Sequence, residues 1–132
     1  MSRAFRTSRT LPALTFRPGD PGYDDEAAGY QTGFPVRPEL IVGATGAEDV
    51  RSALATAAAR GLPVRVQAAG HGLPGAMAGG VLITTRRMAG VRIDPVTRTA
   101  RIAAGTRWEQ VIAVAAPHGL APLRACRVDS IG

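Results

Sequence analysis

Lysine is absent from this chain, and all 16 of its basic residues are arginine. Aromatic residues make up 5% of it, and there is a single cysteine, Cys126. Each shortage closes off a class of function. One cysteine cannot form an internal disulfide, so nothing points to an oxidising compartment. The formal charge is +6, but a nucleic-acid surface clusters its cations and interleaves aromatics. Here the arginines are scattered, and Arg3, Arg6 and Arg9 group only as a short solvated arm. No apolar run is long enough to span a bilayer. The start, Met1-Ser2-Arg3-Ala4-Phe5-Arg6, carries charge with no apolar stretch behind it, unlike a secretory leader. The expectation is a cytoplasmic protein that binds neither nucleic acid nor membrane. His71, His118 and Cys126 lack the spacing and the fourth ligand of a zinc site, so no metal is expected. His118 suits the end of a helix, where the dipole favours a cation.

What is present is enough for one core: 132 residues, 45% of them hydrophobic, suit an ordinary domain. Residues 1–37 are rich in Pro, Gly, Arg and Asp and read as an irregular lead-in, with at most a short helical piece near Asp25 to Tyr30. Asp24, Asp25 and Glu26 read as a solvated acidic turn. From residue 38 to 132 a rhythm begins. Glu39 to Gly43 is a strand candidate. Thr45-Gly46-Ala47-Glu48 has capping-box spacing, and the helix it opens runs to Arg60 with a stripe of Val50, Leu54, Ala57 and Ala58. Gly61 stops it. Pro63 to Gln67 is the next strand, so this is a parallel strand–helix–strand unit. Strands follow at Val81 to Thr85, Val91 to Asp94 and Thr99 to Ala103, the last two joined as a hairpin with one wet and one buried face. Thr106-Arg107-Trp108-Glu109 repeats the capping-box spacing before a second helix, which Gly119 ends. The expected class is α+β: a small parallel unit, then a mixed, mainly antiparallel sheet with a packed helix.

The most informative segment is the glycine-dense turn Ala68-Ala69-Gly70-His71-Gly72-Leu73-Pro74-Gly75. Small residues let a backbone come close to a diphosphate. Gly70, Gly72 and Gly75 satisfy G-x-G-x-x-G, but a nicotinamide fingerprint needs a helix to open there and an acidic residue roughly 20 positions on. Pro74 and Gly79-Gly80 interrupt any helix, and Asp94 sits in the hairpin. A purely structural turn, with His71 filling space, is the plain alternative. Against it stand the run of small residues, the central histidine between glycines, and the preceding strand of a parallel unit, whose carboxyl end is where ligands collect.

Pro63-Val64 through Gly70-His71, then Val81-Leu82-Ile83, Arg87-Met88 and Val91 to Pro95, resemble the FAD-binding domain of FAD-linked oxidases, the berberine-bridge-like and vanillyl-alcohol-oxidase-like flavoproteins. Ala103-Ala104-Gly105-Thr106, Trp108, Val111 and Ala116 to Ala121 continue the resemblance in order, over roughly residues 38 to 124. It implies an incomplete FAD-binding (PCMH-type) domain in which backbone amides of the turn lie along the FAD pyrophosphate. It makes His71 the candidate for covalent flavin attachment, with Ala68, Ala69, Gly70, Gly72 and Leu73 as the surrounding loop. Met88 is a further cofactor-binding candidate, and Thr84, Thr85 and Arg87 are others. The implied chemistry is hydride transfer from a small-molecule substrate to flavin, with oxygen as the final acceptor.

The chain also departs from the pattern. Members commonly have Arg-Ser-Gly-Gly-His-Ser where this chain has Gln67-Ala68-Ala69-Gly70-His71-Gly72, which removes polar partners for the cofactor. Thr84-Thr85-Arg86 stands where Asp-Leu-Ser is common. Some members attach flavin through a cysteine as well, but Cys126 lies about one position away from that place and reads as a buried residue or free thiol. The glycine-rich loop and substrate domain that follow in the family do not follow here. The expectation is therefore the first part of an FAD-binding domain, inactive by itself; the alternative is a non-catalytic remnant or interaction module that binds no flavin.

Overall fold

Two short runs, Leu40–Gly43 and Val81–Thr84, have no exposed residue. Strands apolar at consecutive positions need cover on both faces. The computed structural model, which describes residues 14–30, 32–72 and 75–123, supplies that cover. The elements before Met88 are β1 (Thr15–Phe16), α1 (Tyr23–Ala27), β2 (Val36–Arg37), β3 (Leu40–Gly43), α2 (Ala47–Arg60), β4 (Val64–Gln67), β5 (Met77–Ala78) and β6 (Val81–Thr84). After it come β7 (Val91–Asp94), β8 (Thr99–Ile102), α3 (Trp108–Ala115) and a 3-10 turn, Ala116–His118. The chain divides into two compact units between Met88 and Ala89. β1, α1 and β2 all pack in the first unit.

The main sheet has the order β1-β3-β6-β4. β6 runs parallel to both β3 and β4, with Val81 opposite Leu40 on one side and Val64 on the other. Only β1 is antiparallel, pairing Phe16 with Ile41. β3 and β4 are parallel, as expected, but one expectation is corrected: β6, expected in the mainly antiparallel sheet, joins this parallel sheet and lies between them. The reason is hydrophobic. β6 is apolar throughout and belongs at the centre, whereas β4 exposes Val64 and Val66 and can sit at the edge. A further two-stranded parallel ribbon joins β2 and β5.

Alternate residues of the central strands face opposite layers. Leu40, Val42, Val81 and Ile83 pack with Ala53 and Ala57 of α2. Ile41 and Leu82 pack with Tyr23, Ala27 and Met77, with Phe16 and Val36 beside them. The buried stripe of α2 is thus Val50, Ala53 and Ala57, at three- and four-residue spacing, and the expected Leu54 is 46% exposed. Two alanines at the contact let the helix come close to the sheet. The expected cap is also shifted by one residue. Asp49, not Glu48, reaches back, accepting from the Thr45 amide at 2.8 Å and the Thr45 hydroxyl at 2.7 Å, while Glu48 pairs with Arg51. These hydrogen bonds hold the Asp49 carboxyl below its ordinary range. Gly61 does end the helix, in the left-handed conformation at φ 63°.

In the second unit, β7 and β8 form the expected antiparallel hairpin, with Asp94 opposite Thr99. The Asp94 carboxylate accepts from the amides of Val96 and Thr97 at 2.9 and 3.2 Å and so closes the turn. The expected buried face is only partly present. β7 alternates between half-buried and exposed, but every residue of β8 is exposed. Thr106 is not the helix cap. Its hydroxyl exchanges hydrogen bonds with the amide and carbonyl of Gly90, and the cap of α3 is Arg107, whose amide donates to the Gln110 side chain at 2.9 Å. His118 lies, exposed, in the last turn as expected.

Candidate functional site

Gln67 and Thr84 end their strands side by side, and the Thr85 amide donates to the Gln67 carbonyl at 3.0 Å. The glycine turn therefore leaves from the carboxyl edge of parallel strands. A surface groove of about 330 Å³ is lined by residues 65–72. Ala68, Ala69, Gly70, His71 and Gly72 are thus brought together. The far limb of the loop is held by Arg65, whose guanidinium donates to the Gly75 and Ala76 carbonyls at 2.9 and 3.2 Å.

Backing the turn is the segment that follows α1. A Cβ on Gly70, which has φ +79°, would lie 2.7 Å from the Gly29 Cα. The Tyr30 amide donates to the Ala69 carbonyl at 2.8 Å, and the Tyr30 ring stacks on the His71 imidazole, with centroids 3.8 Å apart and planes 20° apart. On the outer side there is room: a Cβ on Gly72 would meet nothing within 4 Å. Among the described residues, nothing accepts a hydrogen bond from the amides of Ala69, Gly70 or Gly72.

Gln67 and Glu26 carry roles that the sequence reading missed. Gln67 is 2% exposed. Its amide nitrogen donates to the Ala27 and Ala28 carbonyls at 3.4 and 3.2 Å, and its Oε1, buried, has no partner among the described residues. Glu26 is 3% exposed, which corrects its reading as part of a solvated turn. Arg87 reaches both its oxygens, at 2.7 and 2.8 Å, and the Thr84 hydroxyl donates to it as well. Arg86 lies alongside and donates to the Glu26 and Ala28 carbonyls at 3.0 and 2.9 Å, capping α1. Burial pushes the Glu26 carboxyl up, but the hydrogen bonds from Arg87 and Thr84 and the two arginine charges outweigh it and leave the pKa lowered. The clue in the sequence was spacing: Glu26 lies three residues after Tyr23, on the same helical face.

Thr84 and Arg87 are accordingly engaged with Glu26, and Thr85 is buried at the root of the turn. Met88 packs against the core under α2. Leu73 and Cys126 lie outside the described residues. Among the described residues, no three metal-ligating side chains gather, and no helix is long and apolar enough to cross a membrane.

The donor set suits a dinucleotide. Amides without acceptors answer anionic oxygens, open space beside Gly72 admits them, and the orphaned Gln67 oxygen answers a hydroxyl donor. The FAD binding domain family matches residues 38–126. (R)-6-hydroxynicotine oxidase of Paenarthrobacter nicotinovorans is 30% identical over 123 residues, 92% of this chain and 27% of that protein. The crystal structure of 6-hydroxy-D-nicotine oxidase from Arthrobacter nicotinovorans superposes with a TM-score of 0.75 at 29% identity, over 88% of this chain and 26% of that one. Physcomitrella patens BBE-like 1 shares the fold, with a TM-score of 0.69 at 22% identity over 79% of this chain and 24% of its own. The chain thus spans about a quarter of the relatives it matches. With the turn, its backing and these likenesses together, the chain belongs to the FAD binding domain family, as the N-terminal part of that domain in the FAD-linked oxidases.

Proposed function

We propose that this chain provides the pyrophosphate-holding turn and the flavin-facing histidine of an FAD-dependent oxidase. One observation carries the reading: a small-residue turn at the carboxyl edge of two parallel strands, with the Ala69, Gly70 and Gly72 amides unclaimed among the described residues and a groove beside it. The amides of residues 68–72 bind the paired phosphate oxygens, and Gln67 accepts from a hydroxyl of the nucleotide. His71, at the rim of the groove, holds the ring system and is the place for a covalent bond. Bound FAD would supply the whole oxidase with a hydride acceptor, with oxygen as the final oxidant. The substrate class is a small molecule with a C–H beside nitrogen or oxygen, whose pocket is built by other parts of a whole oxidase.

The test is to purify the protein with excess FAD, remove the free cofactor and precipitate with acid. A yellow protein supports the reading, and colour that stays with the precipitate supports attachment through His71. His71→Ala should then bind FAD but release it in acid. A second reading, a module that binds no flavin, is favoured by Gln67 and Ala68 standing where the family commonly has Arg and Ser. A colourless protein whose addition leaves FAD fluorescence unchanged supports it instead.

A further inference from the structure

We propose that Tyr30 is a positioning residue for His71, setting the plane in which the imidazole meets a bound flavin; this rests on the FAD-binding reading above. Tyr30 is 69% exposed, so burial is not what places its ring. The ring is nevertheless nearly coplanar with the imidazole, 20° apart at a centroid distance of 3.8 Å. The two residues belong to segments some forty positions apart that are clipped together by their backbones. The clip has two parts: the Tyr30 amide on the Ala69 carbonyl, at 2.8 Å, and the Gly29 backbone against Gly70, too close for a side chain on Gly70. Each ring thus stands on a backbone fixed relative to the other, one residue from the clip. Stacking covers one imidazole face and sets the plane of the ring. Holding it beforehand lowers the ordering entropy that binding must overcome.

The experiment is a double-mutant cycle on the full chain, with FAD affinity read from flavin fluorescence and the His71 ring protons read by NMR. In the unliganded protein the His71 ring protons should be displaced upfield by the Tyr30 ring. Tyr30→Phe should keep that displacement and the affinity. Tyr30→Ser should lose the displacement and weaken FAD binding about three- to tenfold, the fold-change equivalent of an aromatic pair. In a His71→Ala background the same Tyr30→Ser change should have no effect on affinity. Equal weakening in both backgrounds would mean that Tyr30 merely props the turn, and would overturn the proposal. FAD binding without the upfield displacement overturns it too and leaves the FAD-binding reading standing. A displaced His71 in a protein that takes up no FAD overturns the reading and the proposal with it. If Tyr30→Ser fails to fold, the wild-type spectrum and Tyr30→Phe still decide: a stack lost in Phe, or never present, refutes it.

Discussion

Gly70 and Gly72 stand two positions apart and answer to different constraints. Gly70 is required by the fold: its φ of +79° is strained for other residues, and a Cβ there would overlap Gly29. Gly70→Ala should lose at least about 1–2 kcal/mol, the strain of a left-handed residue alone, read by chemical denaturation. Gly72 has open space around a would-be Cβ, so Gly72→Ala should change stability by less than about 1 kcal/mol while weakening FAD binding. If both variants lose stability alike, the open side of the turn has been misassigned. The glycines and His71 were legible in the sequence because small residues around one histidine are rare and local. Gln67 and Tyr30 were not, because their partners, the Ala27 and Ala28 carbonyls and the His71 ring, lie some forty positions away. No local pattern encodes such a meeting.

At the scale of the element, α1 is a five-residue helix, too short to be stable by itself. What holds it is the buried Glu26 on Arg87 and Thr84, the Arg86 cap on its last carbonyls, and Tyr23, whose hydroxyl donates to the Pro38 carbonyl at 2.6 Å. Because α1 leads directly to Gly29 and Tyr30, this anchor also sets the back of the turn. Glu26→Gln should lose about 1.5–3 kcal/mol, as expected for hydrogen bonds to a charged group. The Glu26 pKa in the folded protein lies below its ordinary value of 4.5. Its contribution is therefore complete above that pH and is lost as pH falls through the lower folded value. Acid titration of stability should show this component in the wild type and not in Glu26→Gln. Arg87→Leu should follow the same trend: without the Arg87 hydrogen bonds the carboxyl pKa would rise, and the variant's deficit should be larger at neutral pH than in acid, as paired thermal melts would register. The strands and helices themselves were legible from apolar runs and glycine stops. The order of the strands was not, since pairing β6 between β3 and β4 depends on burial of both its faces and not on any signal in its neighbours.

Across the whole molecule, side-chain burial is uneven. The first unit surrounds β3 and β6, every residue of which is buried. In the second, Val111 and Ala115 are the buried hydrophobic residues among those described, while Ile102, Trp108, Ile112 and Val114 are exposed. Local opening follows burial. Amide hydrogen exchange should therefore be slowest in β3 and β6 and distinctly faster in β7, β8 and α3. Equal protection in the two units would contradict this ordering.

The placement of β6 also has a consequence for synthesis on the ribosome. β3 and β4 emerge first, yet neither has its parallel partner until the later strand arrives between them. The arginines that secure α1 follow immediately after that strand. A growing polypeptide therefore carries the histidine turn, already translated, before the α1 segment behind it is anchored, and capture of a nucleotide waits for Arg87 to clear the exit tunnel. Stalled nascent chains ending just before and just after that point should differ sharply in their retention of labelled FAD.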